Sequence, residues 1–437
     1  MNAFRRIRIV VGTILLSAGL LPGAELDPLV RRGEALWALS GAEILRQYPG
    51  FFRWMDRGQN RLRFNRNSGK KNLTLFAVPL EEVICECRRG KLDAVQVSIY
   101  NRGDAGPMAV RDFNALVDRM LRETARQFGG GRVPERRKVT VAKGSVYAAN
   151  WRMPGMNITL RWSVSDRNTP EYILLIFQPP ADGGDTLRGE IKTRNSARNL
   201  RQNLQRDPDG TVYLLVPMVD QGAKGYCAAA TVARVLNYYG ADVDQHLIAQ
   251  LAKSDAQAGT GIGEILNNLD KAQSRLGIRV KTYCSCLLNY NDWMNFIKEY
   301  NKFVRKNKIP EVDLKQCYVK ERGGKIFSPA LAMRQMDRQT MNRVRALDKN
   351  ARDTFFRQIR ESIDMGLPLC WTTMVIAPDR GAPGLHMRLI TGYHPATGAV
   401  VYSDSWGAGH EKKVMSGTEA WGVTRHLFGI LPRVGSR

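Results

Sequence analysis

The chain has 437 residues, 43% of them apolar, and carries 66 Lys and Arg against 41 Asp and Glu, a formal net charge of +25. That length and apolar fraction exclude a disordered chain and are enough for two packed domains. The basic residues are spread over both halves without interleaved aromatics, which argues against a specific nucleic-acid partner and for attachment to anionic cell-surface material.

The N-terminus reads as an export signal. Arg5, Arg6 and Arg8 precede an apolar run over residues 9–21, and Pro22, Gly23 and Ala24 supply a small-residue exit. The pattern predicts a signal peptide over 1–24 and a secreted or periplasmic protein, with an uncleaved membrane anchor as the alternative. Seven cysteines in an exported chain permit disulfides, and the odd number leaves at least one free thiol. Cys85/Cys87 and Cys284/Cys286 are Cys-x-Cys pairs, a spacing that puts both sulfurs on one face of a strand. It is narrower than the usual spacing of a zinc tetrathiolate, and neither metal nor cofactor is expected.

Residues 27–39 read as a helix, and Ser40 with Glu43 makes a capping box for a second, short one. Strand-like stretches follow at 72–80, 83–87 and 94–100, with a turn at Arg89-Gly90-Lys91 and a loop over 101–106. Residues 110–128 carry Phe113, Val117, Met120 and Leu121 at helical intervals and stop at three glycines. Strands at 138–141, 145–151, 158–164 and 172–177 complete an α+β accessory domain over 25–180, a mainly antiparallel sheet with one long helix. It contains no His and no catalytic constellation. Residues 181–210 read as a basic linker. Its plain reading is a solvated connector. The sharper one is a processing site separating an inhibitory N-terminal domain from an enzyme.

The second domain, 211–437, is organised around residues 221–240. A glycine-punctuated loop there gives way to a helix at Cys227, with Ala229, Val232, Ala233 and Leu236 as its buried stripe. A thiol on the first helical turn meets unpaired N–H groups and the positive end of the macrodipole, which favour the thiolate. Gln221 is placed to donate in front of that sulfur and, with the Cys227 N–H, to form an oxyanion hole. A short helix is expected at 246–251, helices at 260–276, 292–308 and 354–365, and strands at 211–217, 278–283 and 369–376. Met333, Met336 and Met341 read as core filler. His386 stands at the mouth of a strand, and a reversal near residue 396 sets it beside residues 404–406. With strand period two, His386 and Asp404 share a face if no bulge intervenes, and a carboxylate there would fix the imidazole tautomer. Trp406 would shield the pair from water. His246, His394, His410 and His426 lack that combination of strand mouth and nearby acid.

Gln221-Gly222-x-x-Gly225-x-Cys227-x-Ala229, then Leu385-His386, then Asp404-Ser405-Trp406-Gly407, resembles the papain-like cysteine peptidases over residues 211–433. Gly366-x-Pro368, the strand ending Thr391-Gly392-Tyr393 and an Asp as third member look closest to the bacterial branch that includes bacteriocin-leader-processing peptidases. Lys224, Ala228 and Asp404 depart from papain itself, and the first two point to a relative outside the papain family proper. The resemblance implies a papain-like domain, with the nucleophile's helix packed on an antiparallel sheet. It also implies a peptide or protein substrate and catalysis by Cys227, His386, Asp404 and Gln221. Two rival readings stand beside it. One is an acyl transferase or amidase, such as a transglutaminase or peptidoglycan amidase, using the same thioester. The other is a non-catalytic protein that binds anionic cell-surface material. In the first reading the N-terminal domain packs on or regulates the catalytic one.

Overall fold

Alternating side chains and one long amphipathic helix build the first layer of the molecule. The computed structural model describes residues 23–433, apart from 67–70, 142–143, 166, 181–199, 223–224, 242–244, 246–247, 250–261, 288, 322–323 and 377–382. The strands are β1 (Arg53–Trp54), β2 (Arg61–Asn65), β3 (Glu82–Arg88), β4 (Lys91–Asn101), β5 (Arg137–Val141), β6 (Gly144–Met153), β7 (Met156–Ser165) and β8 (Pro170–Gln178). They form one antiparallel sheet in the order β1-β2-β3-β4-β8-β7-β6-β5. Helix α1 (Val110–Phe128) lays Phe113, Val117, Met120, Leu121 and Ala125 into the core of this layer, beside Trp151, Ile158, Leu160 and Phe177. Each such large apolar side chain, fully buried, contributes about 2 kcal/mol of transfer free energy. The Ser40–Glu43 capping box forms in both directions.

Some local expectations change. The helix expected over 27–39 divides into Asp27–Val30 and a 3₁₀ turn, Gly33–Ala38, because Gly33 takes φ +60° between them. Residues 102–105 coil into a single helical turn. Of the export segment, residues 1–22 lie outside the described residues, and Gly23 and Ala24 open a short strand parallel to Asn72–Thr74.

The second layer is also antiparallel. Its strands are β9 (Leu204–Arg206), β10 (Val212–Leu214), β11 (Ile278–Ser285), β12 (Leu369–Ile376), β13 (Pro383–Tyr393), β14 (Val400–Ser403), β15 (Lys413–Met415) and β16 (Thr424–Pro432). The path runs β9-β10-β13-β12-β16-β11, with β14 and β15 continuing from β13. The strand β9 lies inside the expected linker, of which residues 181–199 are outside the described residues. Helices α2 (Cys227–Tyr238) and α3 (Ile262–Leu276) cover one face, with Ala229, Val232 and Leu236 of α2 against Met387, Leu389, Phe428 and Ile430. Two further helices are α4 (Tyr290–Lys306) and α5 (Arg338–Ala346). On the opposite face α6 (Lys349–Asp364) sets Phe355, Ile359 and Ile363 against Trp371, Ile390 and Leu427. A smaller core joins α4 to α5, and Met333, Met336 and Met341 all pack in or against it, as expected of filler. The chain is thus α+β with antiparallel sheets. All seven cysteines are free thiols. The two Cys-x-Cys pairs sit in different cores. No helix among the described residues is long and apolar enough to cross a membrane.

Candidate active site

Cys227 is the first residue of α2, after a Tyr226 cap that offers no side-chain acceptor, and Ala230 N–H closes the first turn on Tyr226 O at 2.8 Å. The first-turn amides therefore have no acceptor in the cap side chain. The thiol is half-buried, so it is neither sealed in the core nor bathed in solvent. Burial opposes its ionisation. The His386 ring, through a hydrogen bond and its charge, and the backbone of Met387 and Ala228 outweigh burial and hold the thiol below its ordinary range. His386 mirrors it. Burial disfavours the imidazolium, but bonds to Asp404 and Cys227 raise its pKa above 6.5. The two shifts favour a thiolate–imidazolium pair.

His386 projects from β13, with its Nε2 3.0 Å from Asp404 Oδ1. The ring nitrogen left to the thiol is therefore Nδ1. A register shift between Ile390 and Gly392 puts a bulge in the β13–β14 hairpin, and Leu389 faces Ser403. One step further along, Arg388 and not His386 stands opposite Asp404. The two share a face at spacing two, and both reach the same carboxylate oxygen, Arg388 Nε at 2.8 Å. Asp404 is fully buried. Burial would raise its pKa, yet His386, Arg388 and Lys413 hold it well below the usual carboxylate range. Lys413 Nζ lies 3.3 Å from Oδ2 and donates to His410 Nδ1 at 2.7 Å. Burial, then the Lys413 charge, lowers the pKa of His410. Trp406, 39% exposed, stacks on His386 at 4.6 Å and 19° and so covers the solvent side of the ring.

Gln221 is anchored at two points. Its N–H donates to Ser405 O at 2.8 Å, and Ser405 Oγ donates to its Oε1 at 2.7 Å. Holding Oε1 fixes which end of the carboxamide donates. Buried Arg234, on α2, ties the pieces together: Nε donates to Pro217 O at 2.8 Å, Nη1 to Asp404 O at 3.3 Å and Nη2 to Ser403 Oγ at 2.8 Å. Burial pushes its pKa down to about 10.

The first layer grips the same loop. Arg63 of β2, with no exposed side-chain surface, pairs with Glu82 of β3 and, through Nη1 at 2.8 Å, with Asp220. Asp220 Oδ1 accepts the N–H of Gly222 at 2.8 Å. Gly222 has φ +74°, and a Cβ there would overlap the Arg63 guanidinium. Tyr226 OH donates to Asn101 Oδ1 at 2.9 Å, and a Cβ on Gly103 would overlap the Tyr226 ring.

Cys227, His386 and Asp404 are joined by successive contacts, and Gln221 is linked to Asp404's neighbour Ser405. His394 stays in its turn, accepting from Thr397 N–H, and His426 bonds Ser285. His246 lies outside the described residues. His410 does approach Asp404, at 4.0 Å, which the sequence reading did not anticipate. Arg388 and Ser405 were also missed, although each flanks a chosen residue. Arg234, Lys413, Asp220 and Arg63 gave no signal of their own. Among the described residues no group of three or more His, Cys, Asp or Glu is arranged to hold a metal ion. No family model matches the chain, and no curated protein matches its sequence.

Proposed function

We propose that this chain is an exported cysteine peptidase of papain-like architecture. In this reading residues 211–437 form the catalytic domain and 25–180 an accessory α+β domain. One observation carries the reading: an unbroken line of contacts from the half-buried Cys227 sulfur, through His386 beneath Trp406, to the buried Asp404.

In the proposed cycle the Cys227 thiolate attacks a peptide carbonyl carbon. The oxygen takes the negative charge between the Gln221 amide and the Cys227 N–H. His386 gives its proton to the departing amine as the C–N bond breaks, leaving a thioester. The neutral imidazole then takes a proton from water as that water adds to the thioester carbonyl, and the acid departs as the thiolate reforms. Asp404 holds the ring in one tautomer throughout. An amine in place of water would give acyl transfer from the same thioester.

The test is turnover of a diverse peptide pool by the purified protein, read by mass, with and without added amines. Cys227→Ala should abolish turnover with the fold intact, and His386→Ala should cost about 10⁴-fold. Persistent hydrolysis by Cys227→Ala would end the proposal. Amine-coupled products without hydrolysis would make the protein a transferase.

A further inference from the structure

A second thiol centre lies away from Cys227, at the far edge of the same sheet. Cys284 lies near the end of β11 and Cys286 just past it, and both pack against the core shared with α6. Both are half-buried free thiols. Two residues apart on extended chain, their Cα atoms are roughly 6.6 Å apart, at the upper end of the roughly 4.4–6.8 Å that a disulfide spans, and Cys286, just past the strand, must turn toward Cys284 to bring the Cβ atoms within the roughly 3.5–4.5 Å the bond needs. The two thiols lie within hydrogen-bonding reach of each other.

The surroundings supply the second observation. On the neighbouring strand Cys286 N–H donates to Arg425 O at 2.7 Å, so Arg425 stands opposite it. Arg425 is 1% exposed and Arg345, from α5, is 7% exposed. Their guanidinium groups converge on the same two carbonyls, Gly422 O and Thr424 O. The Nε of Arg425 has no hydrogen-bond partner, and its Nη2 faces the sulfurs of Met374 and Met341 at 3.5 and 3.9 Å. Among the described residues neither guanidinium is paired with a carboxylate. Two buried like charges without an anion are costly, and the group placed to supply one is Cys286, to which Arg345 donates.

We propose that Cys284 and Cys286 form a redox-active dithiol, with Cys286 as the attacking thiolate held by Arg345 and Arg425, and that it exchanges with small disulfides. The Cys286 thiolate attacks one sulfur of the disulfide and expels one thiolate, which takes up a proton. Cys284 then loses its proton and attacks the Cys286 sulfur, expelling the second thiol. The protein gains one disulfide, the small disulfide is reduced to two thiols, and two electrons pass between them. The neighbouring cations favour this division of labour. The bond from Cys284, then Arg345 and Arg425, lowers Cys286 against the opposing effect of burial, whereas the bond to Cys286 and burial raise Cys284. Buried His426, beside them on β16, has its pKa lowered by burial and adds no compensating negative charge.

Neither thiol takes part in the proposed peptidase chemistry, so the test uses a full-length Cys227→Ser background with oxidised glutathione as the probe. Peptide mass should show the Cys284–Cys286 disulfide. Adding Cys284→Ser should trap one glutathionyl group on Cys286, while Cys286→Ser should leave Cys284 at least about tenfold slower to react. Arg345→Gln should slow alkylation of Cys286 by iodoacetamide about tenfold at neutral pH, and Arg345→Lys should restore part of the rate. Should the Arg345 variants fail to fold, the pH dependence of alkylation in the parent decides, with Cys286 reacting at lower pH than Cys284. Equal trapping at the two cysteines, reaction of Cys284 first, or no reaction with glutathione at either would overturn the proposal.

Discussion

At the scale of residues, the site is governed by one carboxylate and the cations around it. Asp404 is buried against His386, Arg388 and Lys413, so its folded-state pKa is depressed. The stability it contributes is present above the ordinary carboxylate pKa and is lost as pH falls below it. The reacting pair titrates the other way round. Cys227 is lowered from 9.0 and His386 is raised from 6.5. Activity that needs thiolate and imidazolium together should rise on an acid limb below the ordinary thiol range and fall on an alkaline limb above the ordinary imidazole range. Asp404→Asn withdraws the charge that raises His386. It should therefore move the alkaline limb of kcat/KM to lower pH while Cys227 remains alkylatable. An alkaline limb that stays in place would show that Asp404 does not set the charge of the ring.

At the scale of elements, the loop between β10 and α2 is held from both layers, and that support is open to test. Arg63 joins Glu82 and Asp220 in a fully buried cluster, and Asp220 fixes the Gly222 N–H next to Gln221. Arg63→Met removes the buried cation from Glu82 and leaves Asp220 only the exposed Arg53 at 3.6 Å, and it should cost about 3–5 kcal/mol, read by urea unfolding. Asp220→Asn, a milder change, should lower kcat about tenfold with little change in KM, because it loosens the oxyanion donor and not the substrate cleft. A rise in KM alone would place Asp220 in substrate binding. These elements differ in how far the sequence reveals them. Helix α1 was legible to the residue, since nineteen periodic positions end in three glycines. The His386 strand and the helix start at Cys227 were legible from glycine punctuation and period. Strand β2 was not, because Arg61 and Arg63 interrupt its apolar pattern and their partners Glu82, Glu86 and Asp220 come from elsewhere in the chain. The bulge near Ile390 was equally hidden, since backbone register leaves no mark on residue type. The pairing of His386 with Asp404 survives it because both His386 and Arg388 point to the same carboxylate.

At the scale of the whole molecule, the question is what the first 180 residues do for the rest. The sequence left two readings of the basic stretch before the Cys227 region, a solvated connector and a processing site that frees an enzyme from an inhibitory part. The contacts argue for retention. Arg63 reaches Asp220, Arg61 donates to Met218 O at 2.9 Å, Asn101 receives Tyr226 OH, and Arg57 N–H donates to Glu411 at 3.1 Å. Three of these four grip the short run between residues 218 and 226 that carries Gln221 and leads into Cys227. An inhibitory segment would be expected to bond to the catalytic groups, whereas these residues hold the loop that leads to Cys227. Cutting the chain within 181–199, at an inserted protease site, should therefore leave the two pieces co-eluting at moderate salt, because the Arg63 cluster is buried and poorly screened. The rate of Cys227 alkylation should stay within about twofold of the intact protein. Separating the pieces in mild urea and returning the second alone to buffer should lower that rate about tenfold, since the loop loses its anchors while α2 keeps its own core. A faster reaction of the isolated second piece would identify the first as an inhibitor and restore the processing hypothesis.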